Sequence, residues 1–129
     1  MKLQKLIGYN RIFIAETFFE EFNALFGKDK GNRHRYHYWL MESLKVLDRL
    51  GIKALRLAAF EKLEGVYDPP MYAIRHARSA INERHIYVYA EDENVVLLAS
   101  FFEKKTSDYE RAIEHAANVY QKLFEEVME

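Results

Sequence analysis

Two apolar segments on either side of an acidic turn constrain the fold of this chain more than any other feature. Ile86–Tyr89 and Val95–Phe102 are rich in β-branched, aromatic and aliphatic residues, and Glu91–Asn94 lies between them. Short apolar runs bounded by turn residues are typical of strands, and strands with so few polar positions lie in the protein interior. We therefore predict a hairpin of two well-buried strands, which other elements must cover.

The N-terminal half has helical periodicity. Arg11–Ala15 predicts a short first strand, and Thr17-x-x-Glu20 matches a capping box at the start of a helix that ends at Gly27. A second helix is predicted from Asn32, with Gly51 just past its end. Apolar residues recur at helical spacing in both, at Phe18, Phe19, Phe22, Leu25 and Phe26, and at Tyr36, Leu40, Met41, Leu44 and Leu47.

The elements that follow complete the order β-α-α-β-β-β-α. Ile52–Leu63 keeps a four-residue apolar step, which predicts a further helical turn and a connector. Asp68-Pro69-Pro70 is a turn, Met71–Arg78 alternates as a strand does, and Ser107-x-x-Glu110 is a second capping box at the start of a last helix. The fold class expected is α+β, with a small, mostly antiparallel sheet packed against helices.

Length and composition exclude several classes of protein. The 129 residues form one predicted domain, 1–129, and 50% hydrophobic content excludes general disorder. The absence of cysteine excludes disulfides and thiolate chemistry. No apolar run approaches a membrane span and Met1–Asn10 lacks the apolar region of a signal peptide. We expect a cytoplasmic protein with no membrane partner.

No metal or cofactor site is predicted. His34 and His37 stand three residues apart at the start of a helix, but the sequence places no third ligand beside them. No glycine-rich segment resembles a phosphate-binding loop. The chemistry expected of this chain therefore uses no metal and no cofactor.

Positive charge is distributed unevenly along a chain whose net charge is −1. From Thr106 onward the net charge is −4, so residues 1–105 carry +3. An anionic partner must therefore bind a local patch. The densest basic groups are Lys28, Lys30, Arg33, His34 and Arg35, and then Arg75, Arg78 and Arg84.

Two of these arginines are expected to meet. If Met71–Arg78 pairs antiparallel with the strand that begins at Arg84, then Arg75 and Arg84 approach each other across neighbouring strands. Two adjacent guanidinium groups need an anion, and a phosphodiester suits their forked donors. Lys104-Lys105 precedes the last helix, whose N-terminus also favours anions.

The ordinary alternative is that these charges are merely solvated or locally paired. Arg75 would then pair with a nearby glutamate, Arg84 would belong to an exposed turn with Glu83, and Lys104-Lys105 would be a solvated strand end. Composition alone favours this ordinary alternative, because runs of surface charge are usually solvated.

The motifs of the second half resemble the RelE/ParE toxin superfamily, and most closely its HigB-like, phage-related branch. The resemblance extends from Leu63 to about Leu123, a little under half of the chain. It rests on Tyr72-Ala-Ile-Arg75, Arg84-His-Ile-Tyr87, Val95-Val-Leu-Leu98, Phe102-Glu-Lys-Lys-Thr106 and Ala112-Ile-x-x-Ala116, in that order.

That resemblance implies a RelE-like fold and the toxin of a type II toxin–antitoxin system. Such a toxin is a metal-independent endoribonuclease that cleaves mRNA on the ribosome and is neutralised by a cognate antitoxin, expected here to be a helix-turn-helix protein. The catalytic residues it implies are Arg75, Arg84, Lys104, Lys105 and Tyr109. The RNA-binding candidates are Lys28, Arg33, Arg35, Lys62 and Arg78.

RNA cleavage is consistent with these residue types because the 2′-hydroxyl of RNA can attack its own phosphate. Arg75 and Arg84 would hold the nonbridging oxygens, and Lys104, Lys105 or Tyr109 could transfer protons if a crowded cationic site lowered their pKa values. Two alternatives stay open. One is a ParE-like inhibitor that acts by binding a protein, and the other is an inactive adaptor with the same fold.

Overall fold

The computed structural model describes residues 1–76 and 82–128, with side chains described as far as Phe124. Its strands are β1 (Leu3–Lys5), β2 (Ile12–Ala15), β3 (Phe60–Lys62), β4 (Tyr72–Arg75), β5 (Glu83–Tyr89) and β6 (Val95–Phe102). Its α-helices are α1 (Phe18–Phe26), α2 (Lys30–Leu50) and α3 (Thr106–Met128), and short 3-10 helices span Gly51–Arg56 and Glu91–Glu93.

The six strands form one mixed sheet in the order β1-β2-β6-β5-β4-β3. Every neighbouring pair is antiparallel except β2 and β6, which run parallel with Ile12 opposite Val95. The expected α+β class with a mostly antiparallel sheet is confirmed. The expected hairpin is also confirmed, since β5 and β6 pair from Tyr89↔Val95 to Glu83↔Phe102.

Helices cover both faces of the sheet, which explains why its central strands are apolar throughout. On one face, Phe18, Phe22 and Phe26 of α1 and the apolar stripe of α2 pack on Ile74, Tyr87 and Leu97. On the other face, α3 packs Ala112, Ala116, Val119 and Leu123 on Ala73, Ile86, Val88, Val96 and Leu98. Among the described residues, no helix combines the length and the apolar character needed to cross a bilayer.

Two strands were not predicted from the sequence. The first, β1, pairs with β2 at the edge of the sheet, and its three residues are all exposed. The second, β3, lies in Ile52–Leu63, where we expected a helical turn and a connector. The helical turn is present at Gly51–Arg56, but Phe60–Lys62 pairs with β4 instead of forming a connector. Pairing with β4 satisfies its backbone, and Phe60 fills the core.

The predicted capping boxes do not form. Thr17 precedes α1, but its hydroxyl makes no capping hydrogen bond. The last helix begins at Thr106, one residue before Ser107, and the Asp108 carboxylate accepts the backbone N–H groups of Lys104 and Lys105, both at 2.8 Å. The second helix also begins earlier than Asn32, because Asp29 caps it by accepting from the Asn32 backbone N–H at 3.1 Å.

Candidate active site

The register of β4 and β5 brings two of the predicted catalytic residues together. Arg75 and Arg84 are directly opposite each other in the ladder. Strand β3 lies on the other side of β4, with Glu61 opposite Ala73. Because side chains alternate along a strand, Glu61, Ala73 and Arg75 share the face of the sheet that α3 covers. The expected approach of the two arginines is confirmed at the level of strand pairing.

Glu61 links Arg75 to the last helix. Arg75 Nη1 lies 3.6 Å from Glu61 Oε2, and the hydroxyl of Tyr109 donates to Glu61 Oε1 at 3.1 Å. Arg75 Nε also donates to the carbonyl of Ala58 at 3.2 Å. Three elements therefore contribute one carboxylate, one guanidinium and one phenol to a connected group. No sequence pattern had singled out Glu61.

Arg84 has a carboxylate of its own. Its Nε lies 3.2 Å from Glu103 Oε2, and Nη1 donates to the carbonyl of Glu83 at 2.9 Å. The Arg84 side chain is only 12% exposed, compared with 41% for Arg75. Arg84 is therefore held against the sheet, and it does not belong to the exposed turn that the ordinary alternative assumed.

A shallow depression of about 360 Å³ lies beside Arg84, lined by Asn82, Arg84, Glu103, Lys104, Lys105 and Thr106. Lys104 and Lys105 are exposed, and neither ammonium group forms an ion pair with any side chain that the structure describes. The N-terminus of α3 faces the same region. Three of the predicted catalytic residues, Arg84, Lys104 and Lys105, thus share one solvent-filled depression.

The predicted cationic pocket is only partly realised. Each guanidinium has its own carboxylate, so the anion that the Arg75–Arg84 pair requires is supplied by the protein itself, through Glu61 and Glu103. This agrees with the ordinary alternative for Arg75. The free positive charge of the site resides on Lys104 and Lys105.

Tyr109 does not have the pKa that proton transfer near neutrality requires. Burial, followed by the neighbouring Glu61 carboxylate, raises the pKa of Tyr109 to about 12. The expectation that a crowded cationic site lowers this pKa is therefore wrong. The main cause is burial of the phenol, and the second is that its hydrogen-bond partner is an acid. Tyr109 stays protonated and acts as a hydrogen-bond donor.

The predicted RNA-binding residues lie outside this cluster. Lys28 precedes α2, and Arg33 and Arg35 lie in its first turns, in the layer that covers the opposite face of the sheet from α3. Lys62 is exposed on β3, and alternation directs its side chain away from the face that holds Glu61. Arg78 lies outside the described residues.

A second polar cluster is buried on the α1–α2 face, and the sequence did not reveal it. Glu83 is 1% exposed, with His76 Nδ1 at 2.7 Å and His85 Nε2 at 3.4 Å from its carboxylate oxygens. His85 Nδ1 lies 2.8 Å from Ser100 Oγ. Burial alone would raise the pKa of the Glu83 carboxyl, but its interactions with the two imidazoles outweigh burial and lower it.

No side-chain group within the described ranges brings together three or more His, Asp or Glu residues in a way that could hold a metal ion. Comparison with known proteins gives no family model, no curated protein and no solved structure that matches this chain.

Proposed function

We propose that this chain is a RelE-like toxin of a type II toxin–antitoxin system that cleaves mRNA without a metal ion, on the ribosome. In the observed order β1-β2-α1-α2-β3-β4-β5-β6-α3, the segment β4-β5-β6-α3 carries the motifs of the resemblance in their expected order, which supports this proposal. The observation that carries it is the cross-strand pairing of Arg75 with Arg84, beside Lys104 and Lys105, which form no ion pair with a described side chain. A cytoplasmic location and a helix-turn-helix antitoxin belong to the same proposal.

In the proposed reaction, Glu61 accepts the proton of the 2′-hydroxyl. The 2′-oxygen then attacks the adjacent phosphorus, forming the 2′-O–P bond, while the P–O bond to the 5′-oxygen breaks. Arg75 and Arg84 bind the nonbridging oxygens, whose charge increases in the transition state. One preorganised donor of this kind contributes about 3–4 kcal/mol.

The 5′-oxygen leaves opposite the attacking oxygen, so its proton donor lies across the phosphate from Glu61. Tyr109 contacts Glu61 and is therefore on the side of the base. We assign Tyr109 as a positioning residue that orients the Glu61 carboxylate. We assign Lys105, on the far side of Arg84, to donate the proton to the leaving oxygen, because Lys104 also lines a second groove beside β6.

Substrate must displace the carboxylates that occupy the two guanidinium groups. The Arg75 and Glu61 side chains are 41% and 32% exposed, and an exposed ion pair of this kind contributes about 0–1 kcal/mol. Arg84 is only 12% exposed beside Glu103, so this second pair is the harder of the two to separate. A phosphodiester that also contacts Lys104 and Lys105 gains more than this exchange costs. Arg75 and Arg84 remain usable as phosphate ligands.

The same carboxylates favour a second candidate function. A protein whose guanidinium groups are neutralised by its own side chains can act without cleaving RNA, as a ParE-like inhibitor that binds a protein target or as an inactive adaptor. Under this alternative the depression beside Arg84 has no catalytic role.

The replacement of Lys105 by alanine distinguishes the two functions. Lys105 is exposed and has no ion-pair partner among the described side chains, so its loss should change the free energy of unfolding by less than about 0.5 kcal/mol. Primer extension on transcripts after induction should show new ends with the wild type and with the control Lys122→Ala, an exposed lysine elsewhere on α3. Lys105→Ala should produce none.

Unchanged toxicity of Lys105→Ala, or the absence of new transcript ends with the wild type, would favour the binding inhibitor. A gene for a small helix-turn-helix protein beside this one would support the antitoxin part of the proposal.

A further inference from the structure

One edge of β6 has no strand beside it over its second half. The parallel partner β2 pairs with β6 only from Val95 to Leu97, whereas β6 continues to Phe102. Along Ala99–Phe102, within the described part of the chain, the only neighbouring strand is β5 on the other side. Ala99 is buried, whereas Ser100, Phe101 and Phe102 are partly exposed. The edge therefore presents backbone N–H and C=O groups to another strand chiefly over these last three residues.

A groove of about 400 Å³ follows this edge. Leu25 at the end of α1 forms one wall, and Ala112 of α3 forms the other. Ala99 and Ala112 have short side chains, which leaves room between the sheet edge and α3. His115 of α3 also lines the groove, and its Nε2 lies 3.0 Å from the Glu21 carboxylate of α1.

The dimensions of the groove match a short extended peptide. Four residues of β6, Ala99–Phe102, lie along it, and a strand rises about 3.3 Å per residue. A segment of four or five residues, roughly 13–17 Å long, therefore fits beside the edge. Its alternate side chains would point toward α1 and toward α3.

The charges of the groove favour an acidic occupant. Lys104 and Arg111 line it, and neither pairs with an acidic side chain in residues 1–76 or 82–124. The one carboxylate in its lining, Asp108, accepts two backbone N–H groups and has Arg111 among the charges that lower its pKa. Lys104 and Arg111 against Asp108 leave the lining with a net charge of +1, which favours an acidic occupant.

We propose that this groove binds an extended, acidic segment of a partner protein, which adds to the sheet as a strand beside Ala99–Phe102. Main-chain hydrogen bonds to the edge supply affinity, and carboxylates on the segment contact Lys104 and Arg111. This inference does not depend on the proposed RNA cleavage, because binding uses the sheet edge and does not require catalysis.

The test is an NMR titration of the full chain with a capped five-residue peptide of alternating valine and glutamate. Amide resonances of Ala99–Phe102 should shift on binding. Arg111→Glu should weaken binding about tenfold, the loss expected when an attractive charge contact becomes repulsive. Lys122→Glu makes the same charge change on an exposed part of α3 outside the groove and should leave the affinity unchanged.

Two further peptides test the geometry. A strand directs alternate N–H groups to opposite sides, so N-methylation of odd residues and of even residues should have unequal effects, with one peptide binding and the other not. Equal binding by both N-methylated peptides would overturn the proposal. So would equal binding by a valine–lysine peptide, or shifts that leave Ala99–Phe102 unaffected.

Discussion

The replacement of Arg75 by alanine separates the catalytic contribution of its guanidinium from its contribution to stability. The side chain has one half-exposed ion pair, with Glu61 at 3.6 Å, and one hydrogen bond, to Ala58 at 3.2 Å. The first contributes about 0–1 kcal/mol and the second about 1 kcal/mol. We expect the free energy of unfolding to fall by about 1–2 kcal/mol, and Tm to fall by roughly 3–8 °C.

The effect on activity should be much larger. In the proposed mechanism Arg75 stabilises charge that appears in the transition state, and removal of one such donor typically costs about 10²–10³ in kcat. The assay is the rate of mRNA cleavage on translating ribosomes, measured beside thermal unfolding of the same preparation. Lys45→Ala is the matched control, because it removes another exposed ion pair, with Glu42 at 2.9 Å, on the helix that covers the opposite face.

A folded Arg75→Ala variant that cleaves at the wild-type rate would refute the assignment of Arg75 to phosphate binding. A variant that loses activity only in proportion to its unfolded fraction would refute it as well. Neither result would affect the fold.

Three further predictions concern stability. The pKa of Glu83 is lowered in the folded protein from its usual 4.5. The stabilisation that the Glu83 carboxylate contributes is therefore complete above pH 4.5 and is lost as the pH falls through the folded pKa. In urea unfolding across that range, the free energy of unfolding should fall less with acid for Glu83→Gln than for the wild type. Phe22 is fully buried, and Phe22→Ala should lower the free energy of unfolding by about 3–5 kcal/mol in the same assay. Gly51 has φ +57°, and an added Cβ would lie 2.7 Å from Arg11 Nη1. Gly51→Ala should therefore lower the free energy of unfolding by about 2 kcal/mol and lower Tm with it. An unchanged Tm would contradict the strain.

The elements that could be predicted from sequence are those with a long or strongly apolar pattern. The β5–β6 hairpin and the three helices have such patterns, because each buries a whole face or stripe. The strands β1 and β3 have three residues each, and Phe60 is the only buried residue of the six. Their pairing is therefore decided by the neighbouring strand and leaves little trace in the local sequence. The capping boxes failed because their spacing alone does not fix the first helical residue: α3 begins at Thr106, and Asp108 accepts the N–H groups of Lys104 and Lys105.

The candidate site was predictable to the extent that it depends on strand register. Antiparallel pairing of the β4 and β5 segments was enough to bring Arg75 opposite Arg84. Glu61 could not be placed, because its segment was assigned to a connector, and only its pairing with β4 sets it beside Arg75. The ordinary alternative placed Glu83 in an exposed turn. In the structure Glu83 is buried, and its carboxylate contacts His85 and also His76, which β4–β5 pairing brings close.

The chemical ends of the RNA produced on translating ribosomes test the central claim most directly. Attack by the 2′-hydroxyl predicts that the wild-type protein leaves a 2′,3′-cyclic phosphate upstream and a 5′-hydroxyl downstream. It also predicts that an mRNA with a single 2′-deoxynucleotide at the cleavage position stays intact there. Cleavage of the deoxy-substituted position, or products that carry a 5′-phosphate, would contradict the account.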